Sequence, residues 1–162
     1  MMCLSQTSGY AVHALSCLHH QHGHTSFVRD IAKQTGIPKP YLAKIINSLN
    51  HHGLVYAKRG YRGGIALARP PEQISLLQVV EAIEGRHWIA DCMWGIEDCV
   101  ARNICPTHKG WQKVRKQIKD MLRSASLADA APFSKLKGHH EKHRGGGRKA
   151  TQKACCQSRG CK

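Results

Sequence analysis

Three cysteines and a histidine crowd one short stretch of the chain, Cys92-x6-Cys99-x5-Cys105-x2-His108. Thiolates are ligands for soft or borderline metals such as zinc and the iron of iron-sulfur clusters, and an imidazole can complete the set. Gly95, Asp98, Asn103 and Pro106 disfavour a continuous helix here, so these groups sit on a loop. Three chemistries fit such a loop: an iron-sulfur centre, a structural zinc site of three cysteines and one histidine, or a metal-free switch in which the thiols form disulfides. Paired ligands in structural zinc sites usually stand about two to four residues apart, closer than the first two gaps here. No phosphate loop, nucleophile elbow or zinc-hydrolase motif is found, which argues against an enzyme.

The chain of 162 residues carries a formal charge of +15, a field that favours polyanions. Its distribution is more informative than its sum. Residues 29 to 69 hold eight Lys or Arg against one acid, and residues 134 to 162 hold nine against one, whereas residues 70 to 100 hold six acids and only Arg86 as a base. Two basic blocks around an acidic one predict a face for double-stranded DNA, separate from a regulatory region. No stretch approaches the roughly 20 apolar residues that span a bilayer, and the N-terminus has no basic flank followed by an apolar signal region. The expectation is a cytoplasmic protein with no membrane partner. In a reducing cytosol, clustered cysteines favour metal binding or redox sensing over structural disulfides. Cys3 and Cys17 stand alone and read as ordinary small residues.

The elements that must position these groups follow from periodicity. Ala11, Leu15 and Leu18, with Tyr10, Ala14 and Cys17, recur at three and four from Ser5 to about His20, predicting a first helix. Thr25-Ser26 offers an N-cap for a short helix carrying Val28, Ile31 and Ala32, which Gly36 closes. In Ile37-Pro38-Lys39-Pro40-Tyr41 the second proline suits the first turn of another helix, with Ile45, Ile46 and Leu49 inside. The two make a helix-turn-helix whose second member is the recognition helix, presenting Lys39, Tyr41, Lys44, Asn47 and Ser48. Leu54-Val55-Tyr56-Ala57 and Ile65-Ala66-Leu67 flank a glycine-rich basic tip and predict a hairpin, or wing. Arg59 and Arg62 at that tip are candidates for backbone or minor-groove contacts. Ser75-Leu76-Leu77-Gln78 has the form of a capping box, opening a helix that places Leu76, Val79, Val80 and Ile83 inside and ends at Gly85.

Beyond the cysteine loop Trp111, Val114, Ile118, Met121 and Ala125 are spaced three and four, and Leu122 broadens the stripe. This is the heptad spacing of a helix packing on another helix. It either lies on its own domain or forms a homodimer seam, and the seam is preferred because the preceding elements already close a winged-helix unit. The fold class is therefore mainly α with a small β-hairpin. Residues 1–86 form a winged helix-turn-helix domain, 87–108 a ligand-bearing loop, 109–131 a dimerisation helix and 132–162 a basic tail. The tail loses nearly all apolar side chains and gains three consecutive glycines, a composition that does not fold, and Cys155, Cys156 and Cys161 within it read as incidental thiols.

Several dispersed motifs, in order, resemble the Rrf-two family of bacterial transcription regulators from Leu4 to about Asp129. They are Tyr10-Ala11-Val12, Ile37-Pro38-x2-Tyr41-Leu42, Gly53-Leu54-Val55, the wing Arg59-Gly60-x2-Gly63-Gly64-x2-Leu67-Ala68-Arg69-Pro70, and Val80-x-Ala82-Ile83-Glu84-Gly85. Ile65 stands where the family usually has an aromatic residue after the paired wing glycines. The resemblance implies a homodimeric repressor whose DNA binding is controlled by an iron-sulfur cluster, sensing iron-sulfur status, nitric oxide or redox state. It assigns Cys92, Cys99 and Cys105 to the three cluster cysteines, and His108 falls where some members carry a histidine ligand. Other members draw the fourth ligand from the partner's first helix, at a position occupied here by Gly9, which has no donor atom; His13, one turn on, is the alternative. Histidine ligation raises cluster potential and favours a 2Fe-2S centre over 4Fe-4S.

Overall fold

A computed structural model describes residues 4–18, 26–58, 60, 63–96 and 105–130. Helix α1 (Gln6–Ser16) starts at Ser5, whose side chain accepts the Ser8 N–H at 3.4 Å. Helix α2 (Val28–Thr35) begins at Phe27 without a side-chain cap and ends on Gly36 at φ 73°. The expected cap at Thr25-Ser26 is thus not the one used. Thr25 lies outside the described residues, and the Ser26 backbone pairs with Ile65 instead. Helix α3 (Lys39–His51) follows a tight turn and carries Pro40 in its first turn. Buried Thr35 braces that turn, donating its hydroxyl to the Ile31 carbonyl at 2.7 Å and accepting the Ile37 N–H at 3.3 Å.

Strands β1 (Val55–Lys58) and β2 (Gly64–Leu67) pair antiparallel, with Val55 opposite Leu67 and Lys58 opposite Gly64. Helix α4 (Leu76–Glu84) opens with the expected capping box, in which Ser75 and Gln78 exchange hydrogen bonds at 3.1 and 3.3 Å. Its inner face is Leu77, Val79, Val80 and Ala82, while Leu76 and Ile83 are half-buried. Helix α5 (His108–Ser124) is the longest among the described residues. One apolar core runs through α1, α2, α3 and the hairpin, with Leu15, Ile31, Leu42, Leu49, Leu54 and Val55 almost completely removed from solvent.

The chain after α5 turns back into this core. Leu76 N–H donates to the Ala125 carbonyl at 2.9 Å, and Leu127 N–H donates to the Ile74 carbonyl at 2.7 Å. Leu127 and Ala130 thereby join the buried cluster of the winged helix. The helix thus stops at Ser124, and the rest of the stretch expected to be helical is a return strap. The α5 stripe also divides. Trp111 and Leu122 are buried, and Ile118 packs beside Leu77 and Val80 of α4; Val114 and Met121 remain 43% and 60% exposed. Part of the heptad pattern therefore serves the helix's own domain, because α4 offers an apolar face that α5 covers.

Candidate nucleic-acid interface and cysteine loop

Helix α3 turns Leu42, Ile45, Ile46 and Leu49 inward, which leaves Lys39, Ala43, Lys44, Asn47 and Asn50 on the solvent side. Two of the expected reading residues are otherwise engaged. Ser48 is half-buried and donates its hydroxyl to the Ala82 carbonyl at 2.7 Å, so it fastens α3 to α4 and is not offered to DNA. Tyr41 keeps 37% exposure, but its ring stands edge-on to Tyr10 at 5.6 Å and its hydroxyl is hydrogen-bonded to that of Thr7. Lys39, Lys44 and Asn47 keep the outward position that sequence periodicity gives them.

Between the start of α2, the outward face of α3 and the hairpin lies an open groove of about 780 Å³, lined among others by Phe27, Arg29, Asn47, Asn50 and Lys58. Arg29 pairs with Asp30 at 3.5 Å, both largely in solvent, where such a pair contributes little and leaves the guanidinium available. Arg29 and Lys58 are additions to the expected set, and Asn50 lines the same groove with its amide oxygen accepting the Ala57 N–H at 3.2 Å. Asn50 lies one turn beyond Asn47 on the same helical face, so carrying the periodicity further identifies it. Arg29 is brought to the groove only by packing. Arg59 and Arg62 lie outside the described residues.

The second candidate region begins where α4 ends. Gly85, at φ 86°, turns the chain toward Ala90 and Asp91, which are tied to α5. Trp111 Nε1 donates to the Ala90 carbonyl at 3.0 Å, Gln112 donates to the Asp91 carbonyl at 3.1 Å, and Arg115 forms an ion pair with the Asp91 carboxylate. Cys92 follows directly and is half-buried. At the other end of the loop, half-buried Cys105 lies just before α5, whose first residue is His108. The Thr107 hydroxyl lies 3.2 Å from Cys105 Sγ, and Trp94 Nε1 donates to that same hydroxyl at 3.1 Å. The Thr107 side chain and then its backbone bias the Cys105 thiol toward thiolate, outweighing burial, and the His108 backbone adds to the effect; the pKa falls below that of an ordinary thiol.

Cys92 and Cys105 are both free thiols. Cys99 lies outside the described residues, and among those described no group of three metal-ligating side chains is gathered. The donor chemistry nonetheless fits a thiolate-bound metal: two free sulfurs flank one loop, and the Thr107 contacts lower the pKa of one of them in the direction that metal binding requires. His13, the alternative ligand, is buried in α1 at 7% exposure. His108 is half-buried at the start of α5. Cys17 is a small buried residue, as expected: its sulfur donates to the His13 carbonyl at 3.3 Å, and burial raises its pKa despite an opposing hydrogen bond with Ser16.

A helix-turn-helix followed by a two-stranded wing defines a winged-helix DNA-binding protein, and the comparisons with known proteins make this specific. The Rrf2 pattern, described as an iron-dependent transcriptional regulator, matches residues 4–132, and the chain belongs to that family. The HTH-type transcriptional regulator IscR of Erwinia tasmaniensis is 31% identical over 129 residues, covering 79% of this chain and 78% of the relative. Among solved structures, CymR, the global cysteine regulator of B. subtilis, superposes with a TM-score of 0.67 at 25% identity, covering 82% of this chain and 98% of that one. T. potens IscR gives 0.62 at 30% identity, covering 79% and 85%. The chain is thus similar to transcription regulators and not to enzymes. No helix among the described residues is long and apolar enough to cross a membrane.

Proposed function

We propose that this transcription regulator is a homodimeric, cytoplasmic repressor whose operator binding responds to an iron-sulfur cluster held by Cys92, Cys99, Cys105 and His108. The observation that carries this reading is the placement of Cys92 and Cys105, both half-buried free thiols, at the two ends of the loop that leads into α5. When bound, the cluster supplies a redox-sensitive link across that loop, in the 2Fe-2S form that histidine ligation favours.

The remaining steps belong to the chain's own residues. Asp91, next to Cys92, holds Gln112 and Arg115, and Ala90 holds Trp111, so the N-terminal end of α5 is positioned by groups adjoining the ligands. Its C-terminal end is bolted into the core through Leu127. A change in the loop therefore swings one end of α5 about the other. The exposed Val114 and Met121 supply the partner-facing part of the helix, so that swing alters the spacing of two recognition helices. Lys39, Arg29 and Lys58 engage phosphates, Lys44 and Asn47 reach base edges, and Arg59 and Arg62 extend the contact from the wing.

The test is the visible spectrum, iron and acid-labile sulfide of protein purified without oxygen. A coloured protein that loses its signal in Cys92→Ala and Cys105→Ala, and keeps it in Cys17→Ala, supports the reading. A colourless zinc protein makes the loop structural, and a metal-free protein makes it a thiol switch.

A further inference from the structure

One rung of the hairpin is gripped from both sides. Ala57 of β1 is the cross-strand partner of Ile65 of β2. On the β2 side, Ile65 N–H donates to the Ser26 carbonyl at 2.8 Å and Ser26 N–H returns the bond to Ile65 at 2.9 Å, tying the wing to the residue before Phe27 at the start of α2. On the β1 side, Ala57 N–H donates to Asn50 Oδ1 at 3.2 Å. A backbone N–H can only donate, so the Asn50 amide must turn its oxygen to the strand. Ala57 and Ile65 are thus a rung whose outward edges are both held, one by the residue before α2 and the other by the last turn of the recognition helix. Beyond that rung, Lys58 and Gly64 are the last pair of the ladder before the tip.

We infer that Asn50 is a positioning residue for DNA reading: it clamps the wing to the recognition helix and so fixes where the wing meets the duplex relative to the bases under α3. The inference rests on the DNA-binding reading given above. Asn50 and Lys58 line the same groove as Asn47, so the clamp sits between the reading side chains and the wing. An edge strand whose outward N–H is held by a side chain of α3 cannot pivot without breaking that bond. Freed from it, the hairpin keeps its attachment to Ser26 but gains a hinge on the α3 side. The footprint then loses definition in its flanks, where the wing lies, and keeps it at the bases facing Lys44 and Asn47.

The experiment enriches full-length protein and two variants on a random-sequence duplex library, and measures exchange of the Ala57 amide in each without DNA. Asn50→Leu has similar size but no acceptor; Asn50→Asp restores an acceptor while adding a negative charge. In Asn50→Leu, discrimination at flanking bases should fall on the order of tenfold with preferences under α3 retained, and Ala57 exchange should speed up about tenfold or more. Asn50→Asp should bind every duplex less tightly yet keep the flank preferences and the protection of Ala57. Undiminished flank preference in Asn50→Leu, or equal loss at flank and centre, overturns the inference, as does unchanged Ala57 exchange. If both variants lose preference at one central base, Asn50 reads DNA directly and the clamp is wrong. Should the parent protein enrich no sequence at all, the DNA-reading assignment fails, while the exchange measurement still decides whether the clamp exists.

Discussion

The DNA-facing half of the molecule and the half that carries the cysteines are built on different principles. The helix-turn-helix and wing are positioned by a continuous apolar core, in which Leu42, Ile45, Leu49, Leu54, Val55 and Leu67 leave almost no surface to water. Helix α5 rests on a smaller cluster of Leu77, Val80 and Leu122, supplemented by Trp88 and Ile118. Its N-terminal end also relies on polar contacts to Ala90 and Asp91. Apolar packing is dense and stiff, whereas a few partly exposed hydrogen bonds open at modest cost. The helix-turn-helix and wing therefore rest on the denser packing, and in the proposed mechanism the adjustable joint is where the chain around Cys92 and Cys105 meets α5.

The largest expected effects test the rigid half. Leu49→Ala should cost about 2–5 kcal/mol by denaturant unfolding, since the cavity is surrounded by side chains that cannot collapse into it. Leu127→Ala should fall in the same range although it lies past α5, because its side chain is part of the same core. A loss below about 1 kcal/mol for Leu127→Ala would detach the strap from the core and remove the pivot.

Two charge insertions on α5 separate its inward and outward faces. Met121→Glu should weaken dimerisation on the order of a hundredfold in sedimentation experiments, leaving subunit unfolding nearly unchanged, because a carboxylate in an apolar seam loses its water. Ile118→Glu, facing α4, should instead lower subunit stability. If Met121→Glu dimerises as the parent does, the exposed pair at Val114 and Met121 is not the seam.

Smaller effects probe the joint and the staple between α1 and α4. Trp111→Phe removes the donor to Ala90 and should cost roughly 0.5–1.5 kcal/mol, with faster amide exchange in the first turns of α5 and none in α3. Glu84 accepts from the Ser5 backbone N–H at 3.1 Å, from the Ser8 hydroxyl at 2.6 Å and from the Ser5 hydroxyl. Burial raises its pKa, but the Ser5 and Ser8 hydroxyls and the Ser5 backbone outweigh this and leave it lowered. Its stabilisation is thus complete above the unfolded-state value of about 4.3 and is lost as pH falls through the lower folded-state value. Unfolding across pH 5 to 3 (on the order of the carboxylate range) should show the parent losing more stability than Glu84→Gln; equal losses would mean the serines do not hold the carboxylate.

Local signals were legible in the sequence at most positions with a local determinant, the Thr25-Ser26 cap of α2 being an exception because the Ser26 backbone is taken by Ile65. The capping box at Ser75 and Gln78, the left-handed Gly36 and the inward stripe of α3 each depend on a few neighbouring residues, and each is where periodicity and turn chemistry place it. What escaped depends on packing between distant segments. Ser48 turns to the Ala82 carbonyl because α4 crosses the end of α3, which no pattern within α3 reveals. The α5 stripe shows only that one face is apolar, and how that face is shared between α4 and a partner depends on where α4 lies. The strap carrying Leu127 and Ala130 is too short to have a period. In the candidate site, ligand types and spacing marked the loop, whereas the ties from Asp91 to Gln112 and Arg115 and the Trp94–Thr107–Cys105 contacts emerge only once the loop is folded against α5.

The most direct test of the central claim, that the cysteine loop controls DNA reading through α5, compares two forms of one preparation. Affinity for a duplex enriched from random sequences is measured at fixed salt, first with the cluster-loaded protein kept free of oxygen and then after the iron has been removed by a chelator. The account predicts a change of at least about tenfold, equivalent to about 1.4 kcal/mol, accompanied by altered amide exchange at the N-terminal end of α5 and unaltered exchange in α3. Identical affinities for the two forms, with α5 exchanging alike in both, would contradict it.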